Sequence, residues 1–208
     1  MADELEQMLE KAGEAFGTAT EMLEDVTGWE EINSTGEITT YKKPTEYGYN
    51  AIKLEAFFDK PFKAAADYAY QHLHEWEVVH SDMASSTIEK TFNDGSMLRK
   101  DITKPHGPVS AREGHNYVSK QELDENTISI LATSSPQEHP VSEGNVKGDL
   151  KFSLQMFMPV GGDPNKTHYQ VVECIDPKGN IPNMLINQIV VDRAKLYEGG
   201  VSELKKNL

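Results

Sequence analysis

Three turn signals constrain this chain most. Asn93-Asp94-Gly95 separates "SSTIEKTF" from "SMLRKDIT". Asp124-Glu125-Asn126 separates "GHNYVSKQEL" from "TISILATSS", and Gly161-Gly162-Asp163-Pro164-Asn165 separates "GDLKFSLQMFMPV" from "THYQVVECI". A short run of Asn, Asp and Gly between two strand-like segments lets the chain reverse with positive φ, so each pair reads as a hairpin. Three hairpins in succession predict an antiparallel sheet, because parallel pairs need long crossovers.

The flanks carry helical periodicity. Leu5, Met8, Leu9, Ala12, Phe16, Ala19, Leu23 and Val26 recur at three- and four-residue steps, which predicts an amphipathic helix over residues 3–26 with acids on its outer side. Such a helix docks on its own domain; a membrane-surface helix would carry Lys and Arg there. Pro61 opens a second helix, "PFKAAADYAYQHLHEW", whose buried stripe runs from Phe62 to Trp76. A third runs from Pro182 to about Leu204. Between the first two lie the strands of "WEEINSTGEITTYKK" and "YNAIKLEAFF". The expected fold is α+β, with residues 1–27 as a helix packed on a domain spanning 28–208. Residues 104–112 and 135–145 lack periodicity, hold Pro and Gly, and read as binding or lid loops.

Charge narrows the function. The 208 residues hold 34 acids and 20 bases, a formal net charge of -14. That field repels phosphate backbones, so no nucleic-acid partner is expected. The lone Cys174 cannot form an internal disulfide. The first residues lack the basic start and apolar core of a secretory signal, and a cytoplasmic monomer is expected. No metal or cofactor pattern is present: His72 and His74 are two apart on a helix and face apart, whereas zinc-binding pairs stand four apart. No catalytic residue is assigned.

Leu150, Phe152, Leu154, Met156 and Met158 alternate with Lys151, Ser153 and Gln155, so one sheet face is dry. That face is either an ordinary core or the lining of an apolar cavity. The last helix favours the cavity: Met184, Leu185, Ile186, Ile189, Val190, Val191 and Leu196 spread over more than one stripe, interrupted by Asn183, Asn187 and Gln188. Asp192, Arg193 and Lys195 then read as a more exposed second half, and the "HLHEWE" run (72–77) as solvated.

Several motifs resemble those of START (StAR-related lipid transfer) domains over roughly Trp29 to Leu204. They are Trp76 ending the second helix, "SAREGHNYV" (110–118), "ATSSPQEHPVSEGNVKG" (132–148) and, most specific, "DPKGNIPNMLINQIV" (176–190). The resemblance implies a helix-grip fold: a curved sheet wraps a long C-terminal helix, and one lipid sits between them. It also implies a gate made of that helix and the loops at 104–110 and 135–144, with transient membrane contact when the gate opens. The chain departs from the family where an Arg is expected six residues past Arg112 and Val118 stands instead, so the family's buried acid–Arg pair is not evident. Asp101, Arg112 and Asn116 are expected to orient a headgroup, and Phe152, Leu154, Met156, Ile186, Asn187 and Val190 to line the lipid site. The expected function is non-catalytic transfer of one sterol, phospholipid or ceramide. The alternatives are a cyclase- or hydratase-type enzyme using Asp101, His115 and Tyr117, and a ligand-sensing module.

Overall fold

A computed structural model describes residues 2–47, 49–80, 82–179, 181 and 183–208; the side chains of 2, 3, 80, 183, 184 and 187–192 lie outside the description. Helix α1 (Ala2–Glu24) comes first, followed by β1 (Glu30–Ser34), β2 (Ile38–Pro44) and β3 (Asn50–Phe58). After α2 (Phe62–His80) come β4 (Met83–Thr91), β5 (Met97–Thr103), β6 (Arg112–Asp124) and β7 (Thr127–Ser134). The short β8 (Val146–Lys147), β9 (Asp149–Val160) and β10 (Asp163–Asp176) precede α3 (Asn183–Asn207). The strands form one sheet in the order β1-β2-β3-β10-β9-β7-β6-β5-β4, antiparallel throughout, except that β8 pairs in parallel with the start of β6.

The three hairpins form where turn chemistry predicts. The last is tighter than its five turn residues suggest. Gly161 and Gly162 both take positive φ (59° and 84°), and Asp163 already pairs with Val160. That is the two-residue turn whose twist matches flanking strands. The rest of the turn sequence is absorbed as an irregularity between Asp163 and Thr167.

Each sheet face has its own core. On one face, Ile52, Leu54, Ala56 and Phe58 of β3 pack with α2 (Phe62, Ala65, Ala69, Leu73, Trp76) and the second half of α3 (Leu196, Tyr197, Val201, Leu204). The two helices meet closely: a Cβ on Gly200 would lie 3.2 Å from Trp76 Cε3. On the opposite face, α1 places Met8, Ala12, Ala15 and Ala19 on Leu98, Tyr117, Leu131, Phe152, Leu154, Val172 and Cys174. Small alanines let α1 lie close to the strands.

One bulge changes the reading of β9. Cys174 pairs with Phe152, but the next residue, Ile175, pairs with Leu150, so Lys151 is the extra residue. An inserted residue reverses which way the strand beyond it points. Leu150 therefore joins the α2/α3 face, whereas Phe152 and Leu154 belong to the α1 core and Met156 packs against it. A period-two count cannot register such an insertion.

Candidate functional site

A cavity of about 150 Å³ opens on the α2/α3 face. That is well above the roughly 10–15 Å³ needed for one water, so the space is large enough for several. Its walls are mostly apolar: Leu73 from α2, Met83, Val109, Ala132, Leu150, Ile175 and Ile181. Lys104, His106 and Ser110 of the β5–β6 loop border the cavity and are exposed, so its mouth lies on that side, beside Pro177 and Ile181 on the approach to α3. The β5–β6 loop closes on itself through paired backbone bonds between His106 and Val109, both 2.9 Å.

The floor is charged. Strand alternation sets Arg99 and Asp101 on the cavity side of β5, opposite Asn116 and Gly114 of β6. Glu77 reaches in from α2, Glu173 from β10 and Arg193 from α3. Arg99 binds Glu77 and Asp101, each at 2.9 Å. Asp101 also accepts bonds from Ser86 Oγ (2.6 Å) and Asn116 Nδ2 (2.7 Å). Arg193 grips Glu173 with Nε and Nη2, both at 2.7 Å, and its Nη2 stands 3.8 Å from Glu77. Tyr197 donates its hydroxyl proton to Glu173, so the Ser153 hydroxyl 2.7 Å away donates to the Tyr197 oxygen. Fork-shaped guanidinium–carboxylate pairs of this kind are what make buried charge tolerable.

Three carboxylates share two guanidinia here. Burial raises the Glu77 pKa to about 7; Asp101 and Glu173 reinforce that shift, while Arg99 and Arg193 oppose it. Burial would lower the pKa of both arginines, yet their carboxylate partners raise it, so both stay charged. Tyr197 is held protonated by burial and by the Glu173 charge. Among the described residues no acceptor takes Nη1 of Arg99 or of Arg193, and both side chains border the cavity. The floor can thus offer hydrogen-bond donors to an oxygen atom while carrying no surplus of positive charge.

Of the residues expected to bind a ligand, Asp101, Arg112 and Asn116 come together at this cavity. Ile186 borders a smaller space of about 20 Å³ that shares Glu173 and Arg193 with the cavity and is lined also by Tyr49 and Ile52. Phe152, Leu154 and Met156 do not line the cavity; the bulge at Lys151 puts them on the α1 face. The side chains of Asn187 and Val190, with most of the apolar spread expected over 182–191, lie outside the described residues. Two readings of charge are corrected. Glu77 is 3% exposed rather than solvated, and Arg193 is drawn into the floor rather than marking an exposed half-helix. A buried acid–Arg arrangement exists after all, built from Glu77, Arg99, Asp101, Glu173 and Arg193 instead of a partner at Val118. Its one visible signal was Arg99 and Asp101 sharing a strand face with the apolar Met97. His115 and Tyr117, considered with Asp101 as an enzymatic set, face away from it: His115 stacks on His139 at 4.3 Å and Tyr117 joins the α1 core. No group of metal-ligating side chains is assembled among the described residues.

A broad antiparallel sheet gripping a C-terminal helix, with a cavity between them, defines the helix-grip class of folds. Residues 11–197 match the profile of the family described as START domain, and the chain belongs to that family. Among solved structures it is similar to human StAR-related lipid transfer protein 5, at 16% identity over 94% of this chain and 97% of that one, with a TM-score of 0.73. It is also similar to a StAR-related lipid transfer protein fragment from Xanthomonas axonopodis, at 18% identity, 86% and 99% coverage, and a TM-score of 0.69. Human STARD10 matches at 16% identity, 88% and 76% coverage, and a TM-score of 0.68. No curated protein sequence matches the chain significantly.

Proposed function

We propose that this START domain binds one compact lipid in the cavity and carries it between membranes without chemical change. The supporting observation is the cavity itself, with apolar walls leading to a polar floor. Walls of that kind retain a hydrocarbon body because each buried methylene contributes about 0.8 kcal/mol. The Nη1 groups of Arg99 and Arg193 suit a neutral oxygen, a hydroxyl or a carbonyl. The excess of carboxylates disfavours an anionic headgroup. At about 150 Å³ the cavity is smaller than the roughly 300–1,000 Å³ of most small-molecule sites. That size favours a ring system or a single chain over a diacyl lipid.

The bonding of two of the three acids supports a non-catalytic role. Asp101 already accepts from Ser86, Arg99 and Asn116, and Glu173 from Arg193 and Tyr197. Groups so engaged make poor proton shuttles. No helix among the described residues is long and apolar enough to cross a membrane. In this reading a cytoplasmic monomer reaches its ligand by brief contact of the cavity mouth with a bilayer. Residues 1–27 serve the 28–208 unit as a structural brace on the sheet's other face.

The test is uptake of fluorescent sterol and fluorescent fatty acid from phosphatidylcholine vesicles by the native chain and by Ala132→Phe, which fills the cavity. The native chain should take up sterol at least about tenfold better than fatty acid, and Ala132→Phe should lose uptake while keeping its circular dichroism. The proposal fails if the native chain takes up no sterol, or if Ala132→Phe binds as well as the native chain.

A further inference from the structure

Arg112 lines the cavity mouth, yet its guanidinium is not free to meet a ligand. Nε donates to the Pro177 carbonyl and Nη2 to the Lys178 carbonyl, both at 2.8 Å, and Nη1 donates to the Ser110 carbonyl. Its own backbone N–H is fixed on Thr103 Oγ1 at 2.8 Å. Among the described residues no carboxylate pairs with it. Three main-chain oxygens from the two segments that flank the mouth converge on one planar fork.

The turn that Arg112 holds is conformationally demanding. Lys178 has φ of 51° and Gly179 has φ of 74°, two successive residues in the left-handed region. A lysine pays a steric penalty there that a glycine does not. Asp176 Oδ1 accepts the Lys178 N–H at 2.9 Å, which fixes the turn from its start. A Cβ added at Gly179 would lie 3.3 Å from Arg112 Nη2, so the absence of a side chain lets the guanidinium sit flush on the turn. This turn is the connection from β10 to α3, and the Ser110 carbonyl belongs to the loop across the mouth.

We propose that Arg112 is a clasp: it holds the β5–β6 loop to the turn before α3, and it sets the rate at which ligand passes the mouth instead of binding the ligand. The inference rests on the lipid-carrier reading above for its ligand, but the clasp is a property of the closed protein and is measurable without one. Lysine cannot replace it, because an ammonium is a single point and cannot address three carbonyls in a plane.

The experiment compares the full native chain with Arg112→Lys and Gly179→Ala, which disturb the same contact from opposite sides. Hydrogen–deuterium exchange is read on peptides covering 104–111 and 176–182, with β9 and α1 as internal controls. Release of preloaded fluorescent sterol into excess phosphatidylcholine vesicles is followed by stopped flow. Both variants should raise exchange in the two mouth segments by about tenfold, leave β9 and α1 protected, and speed release by a similar factor. Unchanged protection in the mouth segments overturns the clasp, and so does protection lost equally across β9 and α1. A native chain that takes up no sterol defeats the carrier reading alone, because the exchange data still decide the role of Arg112.

Discussion

Glu77→Gln is the most informative substitution at the cavity floor. Glu77 is 3% exposed and stands within reach of two guanidinia and two further carboxylates. In the folded chain its pKa rises from 4.5 to about 7, with burial the largest cause. The folded protein therefore keeps a proton that the unfolded chain releases between those two values. Linkage then requires stability to fall as pH rises through this window and to level off above it. A shift of that size corresponds to about 3 kcal/mol. Glutamine keeps the shape and can still accept from Arg99, but it does not titrate. Urea unfolding of both proteins between pH 4.5 and 8 isolates the contribution, because every other titrating group is shared. The native chain should lose about 3 kcal/mol more than Glu77→Gln across that range. Parallel curves would refute the reasoning. They would mean that Arg99 and Arg193 keep Glu77 ionised at all these pH values, leaving the floor with a full negative charge.

Two further outcomes test the assignment of faces. Leu154 is fully buried in the α1 core, so Leu154→Ala should cost about 2–5 kcal/mol in unfolding free energy while sterol uptake by the folded fraction is unchanged. Lost uptake at unaltered stability would return Leu154 to the cavity. Burial raises the Cys174 thiol pKa to about 11, which leaves little thiolate near neutrality. Labelling by a disulfide reagent at pH 8 should then proceed only at the rate of opening, and prompt stoichiometric labelling would contradict the burial.

The sheet and its flanking helices were legible because their signals are local. Asn93-Asp94-Gly95 and Gly161-Gly162 reverse the chain by their own conformational preferences, and the alanine-rich stripe of α1 carries its period within a few turns. The lead-in "DPKGNIP" was likewise readable, since Lys178 and Gly179 form the turn there. The floor of the cavity was not legible, for a different reason. Glu77, Arg99, Glu173 and Arg193 come from four separate elements. Each looks like an ordinary surface charge until the sheet closes and brings the opposite sign within 3 to 4 Å. Phe152, Leu154 and Met156 were misplaced by a single inserted residue, Lys151, that hydrophobic alternation cannot detect. Arg112 borders the cavity, but its guanidinium is bound to the carbonyl groups of Pro177 and Lys178, and backbone oxygens leave no mark in a side-chain pattern.

The most direct measurement is native mass spectrometry of the full chain purified from cells without detergent, paired with Ala132→Phe purified in the same way. The account predicts one non-covalent adduct per chain, a neutral lipid bearing a hydroxyl or carbonyl, present on the native protein and absent from the filled variant. A native protein that arrives bare and stays bare after incubation with sterol, ceramide and phosphatidylcholine vesicles would contradict it, as would an anionic lipid retained equally by both.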